Sequence, residues 1–311
     1  MKIIFMGTPE FAVPILEKIN SKHQVVLVVS QPDTYNKKKK KYLFSPVKEL
    51  AIRLGLPIFQ PEKIKDEQEK ILNLEADLII TAAYGQFIPK EILNHPRYRS
   101  INVHGSLLPK YRGGAPIQRS IINGDEKTGI SIIYMTPKMD AGDILMMSEI
   151  PILESDTSDS LFEKLSLLGS EMILEVISDL ETGNVKPLKQ NPSEVTFAYN
   201  LTKEDELLDF NKTAREVFNR IRGLNSNPGA YFRLDGQDLK VYGSMVASYK
   251  TDEGPGRIIN LSKDSFDISC KDGTVLQITE IQLPSKKRMT VRDFFNGSGR
   301  NMISKNKEIE K

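Results

Sequence analysis

The chain has 311 residues, 39% hydrophobic and 27% charged, with a formal net charge of +2. That length holds one large or two ordinary domains with cores of their own, and the composition is that of a globular protein, not a disordered one. No apolar run approaches the roughly 20 residues that span a bilayer, and the single cysteine, Cys270, excludes an intramolecular disulfide and a thiolate zinc cluster.

The opening MKIIFMGTPEF enters a strand-like stretch directly, without the long apolar region of a signal peptide, so a cytoplasmic protein with no membrane partner is expected. KIIFMG, VVLVVS (25–30), ADLIITAAY (76–84), SINVHGS (100–106) and GISIIYM (129–135) are short β-branched runs. Several are apolar throughout, which suits strands buried on both faces of a mainly parallel sheet. EFAVPILEKIN, PVKELAIRLG and APIQRSIING between them have helical patterning. Strand–helix alternation predicts an α/β fold with a doubly wound sheet. A longer helix follows, with Leu161, Leu165, Leu168, Met172, Val176 and Leu180 forming one apolar stripe.

Composition changes near residue 184. The stretch NVKPLKQNPSEVTFAYNLTKEDE is polar, contains two prolines and lacks sustained periodicity, which reads as a linker. Beyond it, the helix TAREVFNRIRGL precedes short strand candidates separated by LDGQ, EGPG and KDGT turns, the rhythm of a small antiparallel barrel. The expected organisation is a catalytic domain over 1–185, a linker over 186–204 and a β-barrel domain over 205–311.

Ligands of open α/β sheets bind beyond the carboxyl ends of the strands. Asn102 and His104 lie at such an end, followed by SLLPKYRGGAP, which continues neither strand nor helix. Further on, MDAGDIL carries Asp140 and Asp143 around Gly142, ordinarily turn chemistry. A neighbouring strand end would bring Asp140 to His104. Asn102, His104 and Asp140 would then form an acid–base group, the carboxylate orienting the imidazole and the amide donating to a developing oxyanion. The alternative is a structurally satisfied histidine. A metal site lacks a second His or Cys nearby, a serine hydrolase lacks G-x-S-x-G, and FMGTPEF has one glycine where a dinucleotide fingerprint needs three. Lys37, Lys38, Lys39, Lys40 and Lys41 form an unbroken basic run, and residues 281–311, with Lys286, Lys287 and Arg288, hold eight Lys/Arg against three Asp/Glu. Such patches are either solvated loops or a surface for a polyanion.

The pattern NVHGSLLPKYRG followed by MDAGDIL closely resembles the 10-formyltetrahydrofolate-dependent formyltransferases, with His104 and Asp140 separated by the family's 36 positions. FMGTPEFAVPIL, SQPD, SPVKELA, AAYGQFIP and GAPIQRSI extend the resemblance, and LTKEDELLDF, PGAYF and KKRMTVRDFF carry it into the second domain. It implies a Rossmann-like catalytic domain joined to an OB-like barrel, with Asn102, His104 and Asp140 as the catalytic trio. Ser106, Leu107, Leu108 and Pro109 match the segment that contacts the folate. The implied formyl donor is 10-formyltetrahydrofolate, no metal is needed, and the carboxyl-terminal match implies methionyl initiator tRNA as acceptor to a monomeric enzyme. The basic residues above would then meet tRNA phosphates. Two alternatives stay open on the residues alone: formyl transfer to a small amine, such as glycinamide ribonucleotide or an amino-sugar nucleotide, and an inactive nucleic-acid-binding homologue. The chain departs from the family at TYNKKKKKYLF, where Lys38 replaces a usual Arg, and at Asn225–Pro228, which replaces a usual P-W-P and leaves no Trp.

Overall fold

Strands without a polar face need covering on both sides, and that requirement shapes the first of two units in this computed structural model, which describes residues 1–37, 40–297 and 299–310. The first unit comprises Met1–Pro116, Thr128–Pro151 and Phe162–Tyr199; the second comprises Ile117–Lys127, Ile152–Leu161 and Asn200–Lys311. Its strands are β1 (Lys2–Gly7), β2 (Gln24–Val29), β3 (Thr34–Asn36), β4 (Lys41–Leu43), β5 (Ile58–Phe59), β6 (Leu78–Ala82), β7 (Ser100–His104), β8 (Lys127–Tyr134) and β9 (Ile144–Pro151). Seven of them form one sheet in the order β5-β2-β1-β6-β7-β8-β9. Ile3, Ile4, Phe5 and Met6 of the central β1 have no exposed surface, as an all-apolar strand between helical layers must.

From β5 to β7 every pairing is parallel, and β8 then runs antiparallel to β7. The α/β, mainly parallel sheet expected from the sequence is therefore present, with a reversal at one side. This reversal changes how the site is built: Tyr134, at the carboxyl end of β8, lies beside Ile101 instead of His104. The edge strand β9 mixes apolar, polar and charged residues, and so escaped pattern reading. Two short strands flank the lysine run, the second starting at Lys41. β3 and β4 pair as a hairpin with Tyr35 opposite Tyr42, and Lys37, Lys40 and Lys41 lie at its exposed end. Lys38 and Lys39 lie outside the described residues. At the hairpin's base, Lys48 Nζ reaches Asp33 Oδ2 at 2.5 Å and Gln60 Nε2 donates to Asp33 Oδ1 at 2.9 Å. Burial acts to raise the Asp33 carboxyl, but these hydrogen bonds outweigh it and hold the group below its usual range.

The helix Ser158–Thr182 buries Leu161, Leu165, Met172, Val176 and Leu180, with Leu168 half-buried, so the apolar stripe is core packing. Among the described residues no helix is long and apolar enough to cross a membrane.

The second unit contains β10 (Ala230–Leu234), β11 (Gln237–Val246), β12 (Ile258–Leu261), β13 (Phe266–Ser269), β14 (Val275–Gln282) and β15 (Met289–Thr290). The order is β10-β11-β14-β13-β12, all antiparallel, with β15 on β14. The carboxyl-terminal segment then bonds to both sides: Ile258 N donates to Lys307 O at 2.9 Å, Ile309 N to Gly256 O at 2.8 Å, and Glu310 N to Arg233 O at 3.1 Å. These bonds draw β12 and β10 together in the manner of a small barrel. Phe232, Phe266 and Phe294 are buried in its core with Val217 and Ile221 of the helix Ala214–Gly223.

That helix starts with a capping box. Thr213 N donates to Glu216 Oε2 at 2.8 Å, Thr213 Oγ1 donates to the same carboxylate at 2.7 Å, and Glu216 N donates back to Thr213 Oγ1 at 3.3 Å. The Thr213 side-chain hydrogen bond leads the effects that hold the Glu216 carboxyl below its ordinary value. A depressed carboxyl pKa contributes stability above the unfolded value and loses it as pH falls through the folded one. Thr213→Ala should therefore cost about 1 kcal/mol near neutral pH. The difference from the native chain should narrow as pH falls to about 3.5, below the ordinary glutamate value. Urea unfolding at the two pH values checks this; a difference that does not change with pH would contradict it.

Candidate active site

Residues two apart on a strand share a face, so β7 presents Asn102 and His104 together and turns Ile101 and Val103 to the other side. Thr81 of the adjacent β6 stands in register with Asn102 and donates from Oγ1 to Asn102 Oδ1 at 2.7 Å. That bond fixes which way the amide faces: oxygen toward Thr81, Nδ2 toward Asp140 Oδ1 at 3.5 Å. His104 is only 5% exposed, and its Nε2 lies 2.9 Å from the carbonyl oxygen of Tyr111. A carbonyl only accepts, so Nε2 carries a hydrogen, and Nδ1 is the nitrogen left for chemistry. Nδ1 lies 3.7 Å from Asp140 Oδ2, within ion-pair distance.

Asp140 arrives by a different route from the one expected. Because β8 runs antiparallel, no strand end delivers it. Instead the connection from β8 to β9 folds back over the face that carries Asn102 and His104. Two tight approaches hold it there. Tyr134 N donates to Asp143 O at 3.0 Å, and a Cβ on Gly142 would stand 1.7 Å from the Tyr134 carbonyl oxygen, so only glycine fits. Asp140 itself has φ 45°, in the left-handed region that few non-glycine residues adopt. Its Oδ2 accepts the Gly113 N–H at 2.9 Å. Gly113 has φ 126°, and a Cβ there would stand 2.6 Å from Ala198 O. Gln190 supplies the remaining support: Nε2 donates to Asp140 O and Gly142 O, both at 2.8 Å, and Oε1 accepts from Arg112 at 3.1 Å and 2.7 Å.

The structure thus brings Asn102, His104 and Asp140 together. Of the segment 106–109, Ser106 and Leu108 are buried, while Leu107 and Pro109 are half-buried. Ser106 Oγ donates to Lys110 O at 2.7 Å, and Leu108 packs with Ile133 and Ile144. Leu108 N donates to Ser131 Oγ, which in turn donates to Ser106 O. Two of the four side chains therefore shape the loop from within, while Leu107 and Pro109 keep part of their surface exposed. Lys286, Lys287 and Arg288 are exposed on the connection between β14 and β15, and both Arg288 Nε and Nη2 bond to Glu280. Among the described residues no group of three or more His, Cys, Asp or Glu side chains could hold a metal ion.

Thr81, Tyr111, Gly113 and Gln190 were not apparent as site residues. Thr81 did carry a signal, a hydroxyl within the apolar run LIITAAY. Tyr111 meets His104 through its carbonyl and Gly113 meets Asp140 through its N–H, groups that side-chain chemistry does not reveal. Gln190 lies in the polar stretch read as a linker.

A family model described as formyl transferase matches residues 1–177, and a second, described as formyl transferase, C-terminal domain, matches residues 200–299. The chain belongs to the formyl transferase family. This formyl transferase is 48% identical over 301 residues to a methionyl-tRNA formyltransferase of Bacillus mycoides, covering 96% of each chain. It is 46% identical over 303 residues to one of Latilactobacillus sakei, covering 96% of this chain and 95% of the relative. Its fold is similar to that of an N-formyltransferase of Helicobacter canadensis solved in complex with folinic acid and dTDP-3-aminofucose, with a TM-score of 0.70 and 20% identity over 89% of this chain and 98% of that one.

Gln190→Leu would take one partner each from two carbonyls and a guanidinium, so this variant of the formyl transferase should lose about 1–3 kcal/mol of stability. Hydrogen exchange at the Gly113 amide should also quicken, because its acceptor is no longer held. Native-like exchange at Gly113 in this variant would show that Gln190 does not position Asp140.

Proposed function

We propose that this chain transfers the formyl group of 10-formyltetrahydrofolate to the α-amino group of methionyl initiator tRNA, acting as a cytoplasmic monomer. The observation that carries this reading is the 46–48% identity to methionyl-tRNA formyltransferases, which runs through both units and not the catalytic unit alone. Exposed Lys286 and Lys287 on the second unit suit a polyanionic acceptor.

The chemistry follows from the three side chains. The free amine attacks the formyl carbon, a C–N bond forms, and the carbonyl electrons move onto oxygen. Asn102, its amide oriented by Thr81, donates from Nδ2 to that oxyanion. His104 stands in the same place with Nδ1, its other nitrogen being committed to Tyr111. A proton on Nδ1 donates to the oxyanion, and the adjacent Asp140 carboxylate stabilises the charge. Collapse of the tetrahedral intermediate breaks the bond to N10 of the folate, an anilide-type nitrogen that leaves only when protonated. The proton lost by the amine is the one N10 gains, and Asp140 is the base that relays it. The backbone of Ser106 to Pro109, with Leu107 and Pro109, forms the wall against the folate. Lys37 to Lys41, Lys286 and Lys287 meet tRNA phosphates, while Arg288 is held by Glu280.

His104→Ala and Asp140→Asn should each lower kcat by about 10²–10⁴. The double variant should fall well short of the product of the two losses, because coupled groups are non-additive. Formyl transfer to methionyl-tRNA at saturating folate measures this, and near-native turnover of either single variant would remove it from the mechanism.

Replacing Lys37 to Lys41 with Ser should raise KM for tRNA without changing KM for the folate. The salt dependence should flatten by roughly 0.7–0.9 logarithmic units per lost phosphate contact. An unchanged slope would make the hairpin an ordinary solvated surface.

A further inference from the structure

Two aromatic side chains stand in the open beside the site. Phe197 and Tyr199 are 48% and 67% exposed, with ring centroids 5.7 Å apart and planes inclined by only 10°. Burial would be the ordinary fate of such rings. Their exposure follows from local geometry: Thr196 to Tyr199 is extended, so Phe197 and Tyr199 share one side, and Ala198 between them is fully buried. The backbone under the rings is not loose. Arg112 N donates to Thr196 O at 2.9 Å, Ala198 N to Arg112 O at 2.8 Å, and Ala115 N to Ala198 O at 3.1 Å. Tyr111 N donates to Thr196 Oγ1 at 2.9 Å.

The segment that carries the rings is therefore bonded to Tyr111, Arg112 and Ala115, in the loop that also serves the catalytic side chains. Tyr111 accepts from His104, Gly113 donates to Asp140, and Arg112 lies between them. Two exposed cations adjoin these residues in the chain, Lys110 just before Tyr111 and Lys189 just before Gln190. A stacked pair of exposed rings, on a backbone fastened to the loop that serves the reacting side chains and with exposed cations nearby in the chain, has the features that bind the base and phosphate of a single-stranded nucleotide. We propose that Phe197 and Tyr199 form a stacking platform for the terminal nucleobase of the aminoacylated RNA strand, placing the ester-linked amine at Asn102, His104 and Asp140. This inference rests on the reading of the acceptor as an aminoacyl-tRNA. The folate, also flat, meets the other end of the loop at Ser106 to Pro109 under that reading.

The absence of tryptophan from the chain provides a direct probe, because Phe197→Trp creates the protein's only one. Its fluorescence should be quenched by an acceptor-stem RNA ending in unpaired adenosine. The same RNA with an abasic terminal residue, or a folate analogue alone, should leave it unchanged. In kinetics, the double variant Phe197→Ala, Tyr199→Ala should raise KM for methionyl-tRNA roughly 5- to 150-fold, the range expected for one lost base stack, with KM for the folate held. Two results would overturn the proposal: equal quenching by the abasic RNA, or a KM rise confined to the folate, which would reassign the rings to the donor. Unchanged kinetics in a double variant with native-like thermal unfolding would overturn it as well. Failure of the unaltered protein to formylate methionyl-tRNA would instead overturn the underlying functional reading, whatever the tryptophan reports.

Discussion

A carboxylate on a loop can support a histidine only if the loop is held as firmly as a strand, and the site depends on that constraint. Asp140 lies on the connection between β8 and β9, outside regular structure, and in a left-handed conformation. Gly113 bonds to its carboxylate, Gln190 to its carbonyl, and Gly142 allows the connection to close against Tyr134. Each contact needs a different part of the chain in place first. The carboxylate is consequently a product of the assembled fold, whereas Asn102 and His104 are presented by β7 itself.

The polar stretch after the long helix takes on a larger part than its composition suggests. Ile144 and Leu188 exchange backbone hydrogen bonds at 2.8 Å, Gln190 bridges three partners, and Thr196 and Ala198 pair with the loop after β7. A segment with few apolar side chains cannot form a core, but its N–H and C=O groups must still find partners wherever water is excluded. Here those partners are the backbone groups around Asp140 and Tyr111, so the segment fastens the site in place of forming a core.

Charge also differs between the chain and its surface. The carboxyl-terminal excess of basic residues includes Arg288, Arg292 and Lys307, and each has an acidic partner, in Glu280, Asp264 and Asp235. Exposed pairs of this kind contribute little to stability. They do reduce the charge that the surface presents, whereas Lys286 and Lys287 stand exposed on the connection between β14 and β15. Arg233, paired with Asp238 on the facing strand, follows the same pattern.

Most of the fold was readable in the sequence, because burial imposes periodicity. The five apolar runs of the first unit correspond to β1, β2, β6, β7 and β8, and the five strand candidates of the second to β10 through β14. Asn102 and His104 were legible for the same reason: two polar residues at a strand's carboxyl end, followed by a loop unable to continue it, have few structural explanations. The short β5 and β15 and the edge strand β9 were not, since two residues carry no period and an edge does not demand apolarity. Nor could the sequence show that β8 runs antiparallel, as strand direction depends on how the chain returns and not on which residues it buries. The tertiary structure alone decided that Asp140 reaches the site by a folded-back loop, that Tyr111 and Gly113 serve through backbone groups, and that Gln190 joins from some 50 positions further along. Backbone hydrogen bonds and contacts between distant loops leave no mark in side-chain pattern, because any residue can supply the first and only the folded chain creates the second.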